Sequence, residues 1–63
     1  MNTYNTGDTV MFSTSKGAVK IGIIRDIKNI LHQDEYEDIY TIELETAKVY
    51  YVDISHIINK VGI

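Results

Sequence analysis

An all-β domain is the fold class this sequence predicts, and three features predict it. β-branched residues dominate, with 11 Ile, 5 Val and 6 Thr among 63 residues. Such side chains are stiff at χ1 and pack well on a pleated sheet. Ala, the strongest helix former, stands only at Ala18 and Ala47. Apolar residues also recur at every second position in short segments separated by polar turns, which is the period of a strand.

The elements follow in order. Residues 1 to 6 are polar and read as a frayed lead-in, and Gly7-Asp8 is a turn signal. Thr9 to Ser13 alternates, with Val10 and Phe12 facing inward. Ser13 to Gly17 is a polar turn, flexible at Lys16-Gly17. In Ala18 to Ile30, Val19, Ile21 and Ile23 alternate with Ala18, Lys20 and Gly22, and then Ile24, Ile27 and Ile30 fall three apart. A long strand that bends near Gly22 and bulges around Ile24 to Asp26 explains both halves. A strand followed by a helical turn is the competing reading. His32 to Asp38 holds four acids and no Lys or Arg, and reads as an exposed loop.

Ile39 to Glu45 alternates cleanly, with Tyr40, Ile42 and Leu44 on one face and Thr41, Glu43 and Glu45 on the other. Glu45-Thr46-Ala47 is a tight reversal without Gly, so its turn type stays open. Lys48 to Asp53 returns, with Tyr50 and Val52 on one face and Val49 and Tyr51 on the other. Ile54 to Ile57 reads as one helical or 3₁₀ turn that Asp53 or Ser55 caps. Ile58 to Val61 is a last short strand. Five strands this short hide their edges best by curling into a small barrel. Residues 1-63 thus form a single domain with its core in 7-61.

Composition narrows the function. With no Cys there is no disulfide framework, thiolate metal site or thiol nucleophile. Uninterrupted apolar runs are only a few residues long, too short to span a bilayer. Met1 to Asp8 lacks the basic and apolar regions of a signal peptide. A soluble cytoplasmic protein is the expectation. No ligand motif has metal spacing: His32 lies two residues before Asp34, and His56 three after Asp53. Asp53, Ser55 and His56 crowd one turn, where nucleophile, base and orienter do not normally converge. The chain is also too short for a water-excluding cleft. No catalytic residue, cofactor or metal is expected.

Charge is uneven around a net of -3. Residues 1 to 31 carry Lys16, Lys20, Arg25 and Lys28 against Asp8 and Asp26. These four cations form a candidate phosphate-binding strip or an ordinary solvated strand face. Residues 32 to 63 carry seven acids against Lys48 and Lys60. Glu43 and Glu45 share an outer strand face, and with Asp34, Glu35, Glu37 and Asp38 they form either a negative patch that steers a basic partner or a loop kept polar for solubility. Tyr36 and Tyr51 are the exposed aromatics, and Val49 and Tyr51 beside Ile24 make a small apolar patch or a minor core. An aromatic cage would need Phe12, Tyr36, Tyr40 and Tyr51 to converge.

Gly7-Asp8-x-Val10-x-Phe12, Gly17, Ile21-Gly22-Ile23, Tyr40-x-Ile42 and Tyr51-Val52-x-x-x-x-Ile57-Ile58 follow one another in a familiar order. The chain resembles the SH3-like small barrels of the KOW and Tudor type, and the short bacterial and phage proteins built on that barrel, over residues 7 to 61. The resemblance implies a five-stranded barrel whose bent second strand serves both sheet halves and whose 3₁₀ turn precedes the last strand. It also implies a binding module. Members bind RNA, ribosomal partners, peptides or methylated side chains, and this chain departs from the nucleic-acid binders in being acidic. The leading expectation is a non-catalytic protein-binding module, a phage or mobile-element accessory protein that binds or inhibits a host protein. Its contact residues would be Tyr36, Glu37, Glu43, Glu45, Val49 and Tyr51. The alternative is a KOW-like RNA- or DNA-binding barrel using Lys16, Lys20, Arg25 and Lys28. A homodimer that pairs exposed sheet edges is a third expectation.

Overall fold

Five antiparallel strands form one sheet in a computed structural model that describes residues 4 to 62. They are β1 (Thr9–Ser13), β2 (Val19–His32), β3 (Glu35–Glu43), β4 (Val49–Asp53) and β5 (Ile57–Lys60), with a 3₁₀ turn at Ile54–His56 between β4 and β5. The sheet order is β4-β3-β2-β1-β5. β2 is long enough to serve two neighbours: Val19 to Ile23 pairs with β1, and Ile23 to His32 pairs with β3.

The core lies on one face of this curled sheet. Val10, Phe12, Ile24 and Ile42 are fully buried, and Tyr4, Tyr40, Val52 and Ile57 complete the cluster. Alternation places Val10, Phe12, Tyr40, Ile42 and Val52 inward, as the period-two pattern predicts. Burying each large side chain contributes about 1.5 to 3 kcal/mol, which a chain of this size cannot spare. The register of β2 and β3 shifts between Ile24 and Asp26, leaving Arg25 as the extra residue of a bulge at the predicted place. The three-residue spacing of Ile24 and Ile27 is therefore a bulged strand and not a helical turn.

Gly22 sits opposite Val10 and under β3. A Cβ there would lie 2.6 Å from Ile42 Cγ2 and 2.8 Å from the Glu43 carbonyl oxygen, so only Gly lets the two strands approach at this point.

Four expectations need correction. The stretch 32 to 38 is not a loop. β2 continues to His32, β3 begins at Glu35, and only Gln33 and Asp34 turn the chain, at φ 52° and 66°. Paired left-handed residues are the mark of a two-residue hairpin turn. Its polarity reflects a ribbon wet on both faces, which has no apolar side to reveal a strand. Of the predicted frayed lead-in, residues 1 to 3 lie outside the described residues, and Tyr4 to Thr6 are fastened. Tyr4 is buried edge-on to Tyr40 at 6.2 Å between ring centroids, and the Gly7 N–H donates to the Ile24 carbonyl at 2.8 Å. The last strand begins one residue early, at Ile57. Finally, the curled sheet does not close into a barrel: among the described residues no ladder joins β4 to β5, and both remain sheet ends.

His56 holds the 3₁₀ turn against β1. Its Nδ1 lies 3.0 Å from the Ser13 carbonyl oxygen, and the Ser13 hydroxyl donates to the His56 carbonyl at 3.4 Å. These bonds tie the 3₁₀ turn to the end of β1. No helix among the described residues is long and apolar enough to cross a membrane.

Candidate functional site

The outer face of the sheet carries the densest set of exposed apolar side chains. Paired residues of antiparallel strands point to the same face. The registers Thr9↔Ile23, Ile23↔Glu43 and Glu43↔Val49 therefore draw one row across four strands. Beside it, Ile21 pairs with Met11 and Val19 with Ser13. Val19 is 59% exposed, Ile21 50% and Tyr51 72%. Between the start of β2 and the β3–β4 turn runs an open groove of about 800 Å³, walled by Val19, Ile21 and Ile23 on one side and Glu43, Leu44 and Glu45 on the other. Arg25 lies at its rim, with Nε donating to Glu43 Oε1 at 2.7 Å. An exposed pair of this kind adds about 0 to 1 kcal/mol. It fixes the orientation of both groups more than it stabilises the fold.

The structure divides the six predicted contact residues. Glu43 and Glu45 line the groove, Val49 pairs with Glu43 on β4, and Tyr51, two residues further along β4, lines a separate recess beside His56. Tyr36 and Glu37 lie on the far part of β3, about 20 Å from Glu43 at the usual rise per residue. They also point to opposite faces, since Tyr36 pairs with Leu31 and Glu37 with Ile30. The acids of 34 to 38 therefore do not join Glu43 and Glu45 in one patch. Ile24, expected beside Val49 and Tyr51, is instead fully buried, and Ile23 takes the exposed-face position next to Glu43.

The basic strip is brought together only in part: Lys20 and Arg25 both line the groove, and Lys16 and Lys28 do not. Lys16 tops the β1–β2 turn, Lys20 pairs with Phe12 on the core side, and Lys28 pairs with Ile39 on the other face beyond the bulge. Arg25 is engaged by Glu43.

The four cage aromatics do not converge. Phe12 packs on Tyr50 at 5.5 Å, Tyr40 packs on Tyr4, and Tyr36 and Tyr51 stand apart in solvent.

Asp53 caps the 3₁₀ turn, as read from the sequence. Its Oδ1 accepts from the Ser55 N–H at 3.1 Å and from the Ser55 hydroxyl at 2.6 Å. That hydroxyl, and then the nearby His56, hold the Asp53 carboxyl below its ordinary value despite partial burial. His56 turns its Nδ1 to Ser13 and so does not lie between Ser55 and Asp53. A second, smaller recess of about 300 Å³ lies beside His56, between Thr14–Ser15 and the β4 residues Tyr50 to Asp53.

Val19, Ile21, Leu31 and Ile58 are exposed apolar residues that the sequence reading did not single out. Parity could have found two of them: once Gly22 is recognised as the close-approach residue, Val19 and Ile21 must face outward. No family model matches the chain, and neither a curated protein nor a solved structure matches it.

Proposed function

We propose that this domain is a non-catalytic protein-binding module that receives its partner on the outer face of the sheet, at β2 and β4. The observation that carries this reading is the groove, with exposed Val19 and Ile21 on one wall and the Arg25–Glu43 pair at its rim. An apolar centre with a polar border is the anatomy of a protein interface, and side chains of this kind in contiguous exposure mark interaction surfaces. Tyr51, a rigid exposed aromatic on the same outer face of β4, offers further area at low entropic cost.

The resemblance to short bacterial and phage proteins supports a cytoplasmic accessory protein of a phage or mobile element that binds or inhibits a host protein. Nucleic-acid binding has weaker support, because Arg25 is engaged by Glu43 and Lys20 and Lys28 face opposite ways.

Affinity capture with the wild type and with an Ile21→Ser, Tyr51→Ser variant tests the reading. Both positions are exposed, so the variant keeps the wild-type circular dichroism. Proteins retained by the wild type and lost by the variant support the proposal. Identical sets for the two overturn it.

A further inference from the structure

The far end of the β2–β3 hairpin is a free-standing arm. β1 accompanies β2 only as far as Ile23, and β4 accompanies β3 only over Ile39 to Glu43. The rungs Asn29↔Asp38, Ile30↔Glu37, Leu31↔Tyr36 and His32↔Glu35 therefore have no third strand beside them. Every residue from Arg25 to Tyr36 except Ile27 is exposed. Leu31 and Tyr36 share one face at 60% and 71% exposure, and Ile30 stands on the other at 42%.

This arm does little for the stability of the domain that carries it. A lone two-stranded ribbon is marginal in water. Gln33 holds the left-handed backbone without Gly, at a cost of about 1 to 2 kcal/mol, and Asp34 tolerates the same conformation at less cost. Three large apolar side chains at its end rest in solvent instead of the core. Its charge is one-sided: Asn29 to Asp38 contains Asp34, Glu35, Glu37 and Asp38 and no Lys or Arg. Asp38 accepts a hydrogen bond from Asn29 Nδ2 at 3.0 Å, and Glu37 lies 4.0 Å from His32 Nδ1. Asp34 and Glu35 have no ion-pair partner among the described residues.

We propose that the arm is a second docking element, whose Leu31–Tyr36 pair enters an apolar recess on a protein surface rich in Lys and Arg. The apolar pair supplies the anchor on one face with Asp38 beside it, and Glu35 and Glu37 on the opposite face, with Asp34 in the turn, add longer-range charge complementarity and steering. The same carboxylates repel phosphates, which disfavours nucleic acid and anionic lipid as occupants. The inference rests on the protein-binding reading but uses a surface separate from the groove.

The test uses a synthetic peptide of about twelve residues alternating Lys with Leu, long enough to lie along the arm. A control peptide carries Glu in place of every Lys. Amide chemical shifts of the full chain are followed during titration. The expected shifts centre on Asn29 to Asp38 with the Lys peptide and are absent with the Glu peptide. A Leu31→Ser, Tyr36→Ser variant should bind at least about tenfold more weakly, and a Glu35→Gln, Glu37→Gln variant should lose most of the salt dependence.

Equal shifts with both peptides, unchanged binding by the arm variants, or no shift at all overturn the proposal. Shifts at Ile21 and Tyr51, lost in Ile21→Ser and kept in the arm variant, uphold the protein-binding reading and overturn the arm. Sedimentation that shows a dimer dissolved by the arm variant also overturns it, in favour of a second copy of this chain.

Discussion

Ala47 occupies in the β3–β4 turn the position that Gly17 occupies in the β1–β2 turn. In the first turn, the Gly17 N–H donates to the Thr14 carbonyl at 2.9 Å and the Thr14 N–H to the Ala18 carbonyl at 2.8 Å. In the second, the Ala47 N–H donates to the Leu44 carbonyl at 2.8 Å and the Leu44 N–H to the Lys48 carbonyl at 2.9 Å. Both pivots are left-handed, with φ 85° at Gly17 and 72° at Ala47. Two three-residue reversals of the same design thus differ in whether the pivot carries a Cβ.

Replacing Ala47 with Gly removes that Cβ from a conformation L-residues avoid. The expected gain is about 0.5 to 1 kcal/mol, because relief of strain outweighs the added freedom of the unfolded chain. Ala47→Val should destabilise instead. Urea unfolding followed by circular dichroism reads both changes, and a loss on Ala47→Gly would count against the turn.

Gly22→Ala should be severe. Its Cβ meets Ile42 Cγ2 at 2.6 Å and the Glu43 carbonyl at 2.8 Å, and the second of these is backbone that cannot rotate away. Overpacking of this kind costs about 1 to 3 kcal/mol, a large share of what a single small core supplies. Adding Ile42→Leu, which takes away the Cγ2 methyl, should recover only part of the loss, since the carbonyl contact remains. A thermal midpoint within error of wild type would contradict the close approach.

Tyr4 should matter more than its place near the chain start implies. Its ring is buried and meets Tyr40 edge-on at 6.2 Å. Tyr4→Ala loses that burial and the aromatic pair, together about 2 to 4 kcal/mol. Tyr4→Phe should stay near the wild type. Chemical denaturation of the three proteins separates the ring from the hydroxyl.

Acid and alkali should each weaken the fold through different residues. Asp8 is held below its ordinary value of 3.8, first by the Asn5 N–H and also by Lys60, whose Nζ lies 3.4 Å away. Asp53 is lowered chiefly by the Ser55 hydroxyl. A depressed carboxyl gives stability that is present above its unfolded value and lost as pH falls through its folded one. The unfolding midpoint should therefore drop below about pH 4, and Asp53→Asn should flatten that limb. Tyr40 is raised above 10.0, first by burial and then by Asp38. Its contribution is intact below the unfolded value and lost as pH rises through the folded one. Tyr40→Phe should flatten the alkaline limb, and a pH series of unfolding curves measures both.

Residues that alternate against a buried face were legible from the sequence, and those that do not were missed. Val10, Phe12, Tyr40, Ile42 and Val52 announced themselves by period two and occupy the core. The break in that period at Ile24 and Ile27 announced the bulge. The arm gave no such signal, because a ribbon with two wet faces has no apolar parity, so Glu35 to Asp38 looked like loop. Ile24 reads as a surface residue in the sequence because the bulge hides where parity changes, and it is fully buried. Tyr4 was hidden among polar neighbours, and its burial depends on Tyr40, distant in sequence. Closure of the sheet could not be read from strands one at a time, since it depends on whether β4 and β5 meet. Of the candidate site, alternation places Glu43, Val49 and Tyr51 on the outer face, whereas Glu45, expected on the same strand, lies in the β3–β4 turn because β3 ends at Glu43. The distance separating them from Tyr36 and Glu37 follows from β3 beginning at Glu35 and not at Ile39.

The bulge makes Arg25 an expansion joint. Ile24 pairs with Ile42 and Asp26 with the next residue, Thr41, so the ladder does not count Arg25 at all. Excising it would leave every rung toward the tip in step and would remove only local curvature and the grip on Glu43. Excising Lys28, three positions on, would instead throw Asn29, Leu31 and His32 out of phase with β3. Tolerance to a change in length is thus concentrated at one residue of the longest strand.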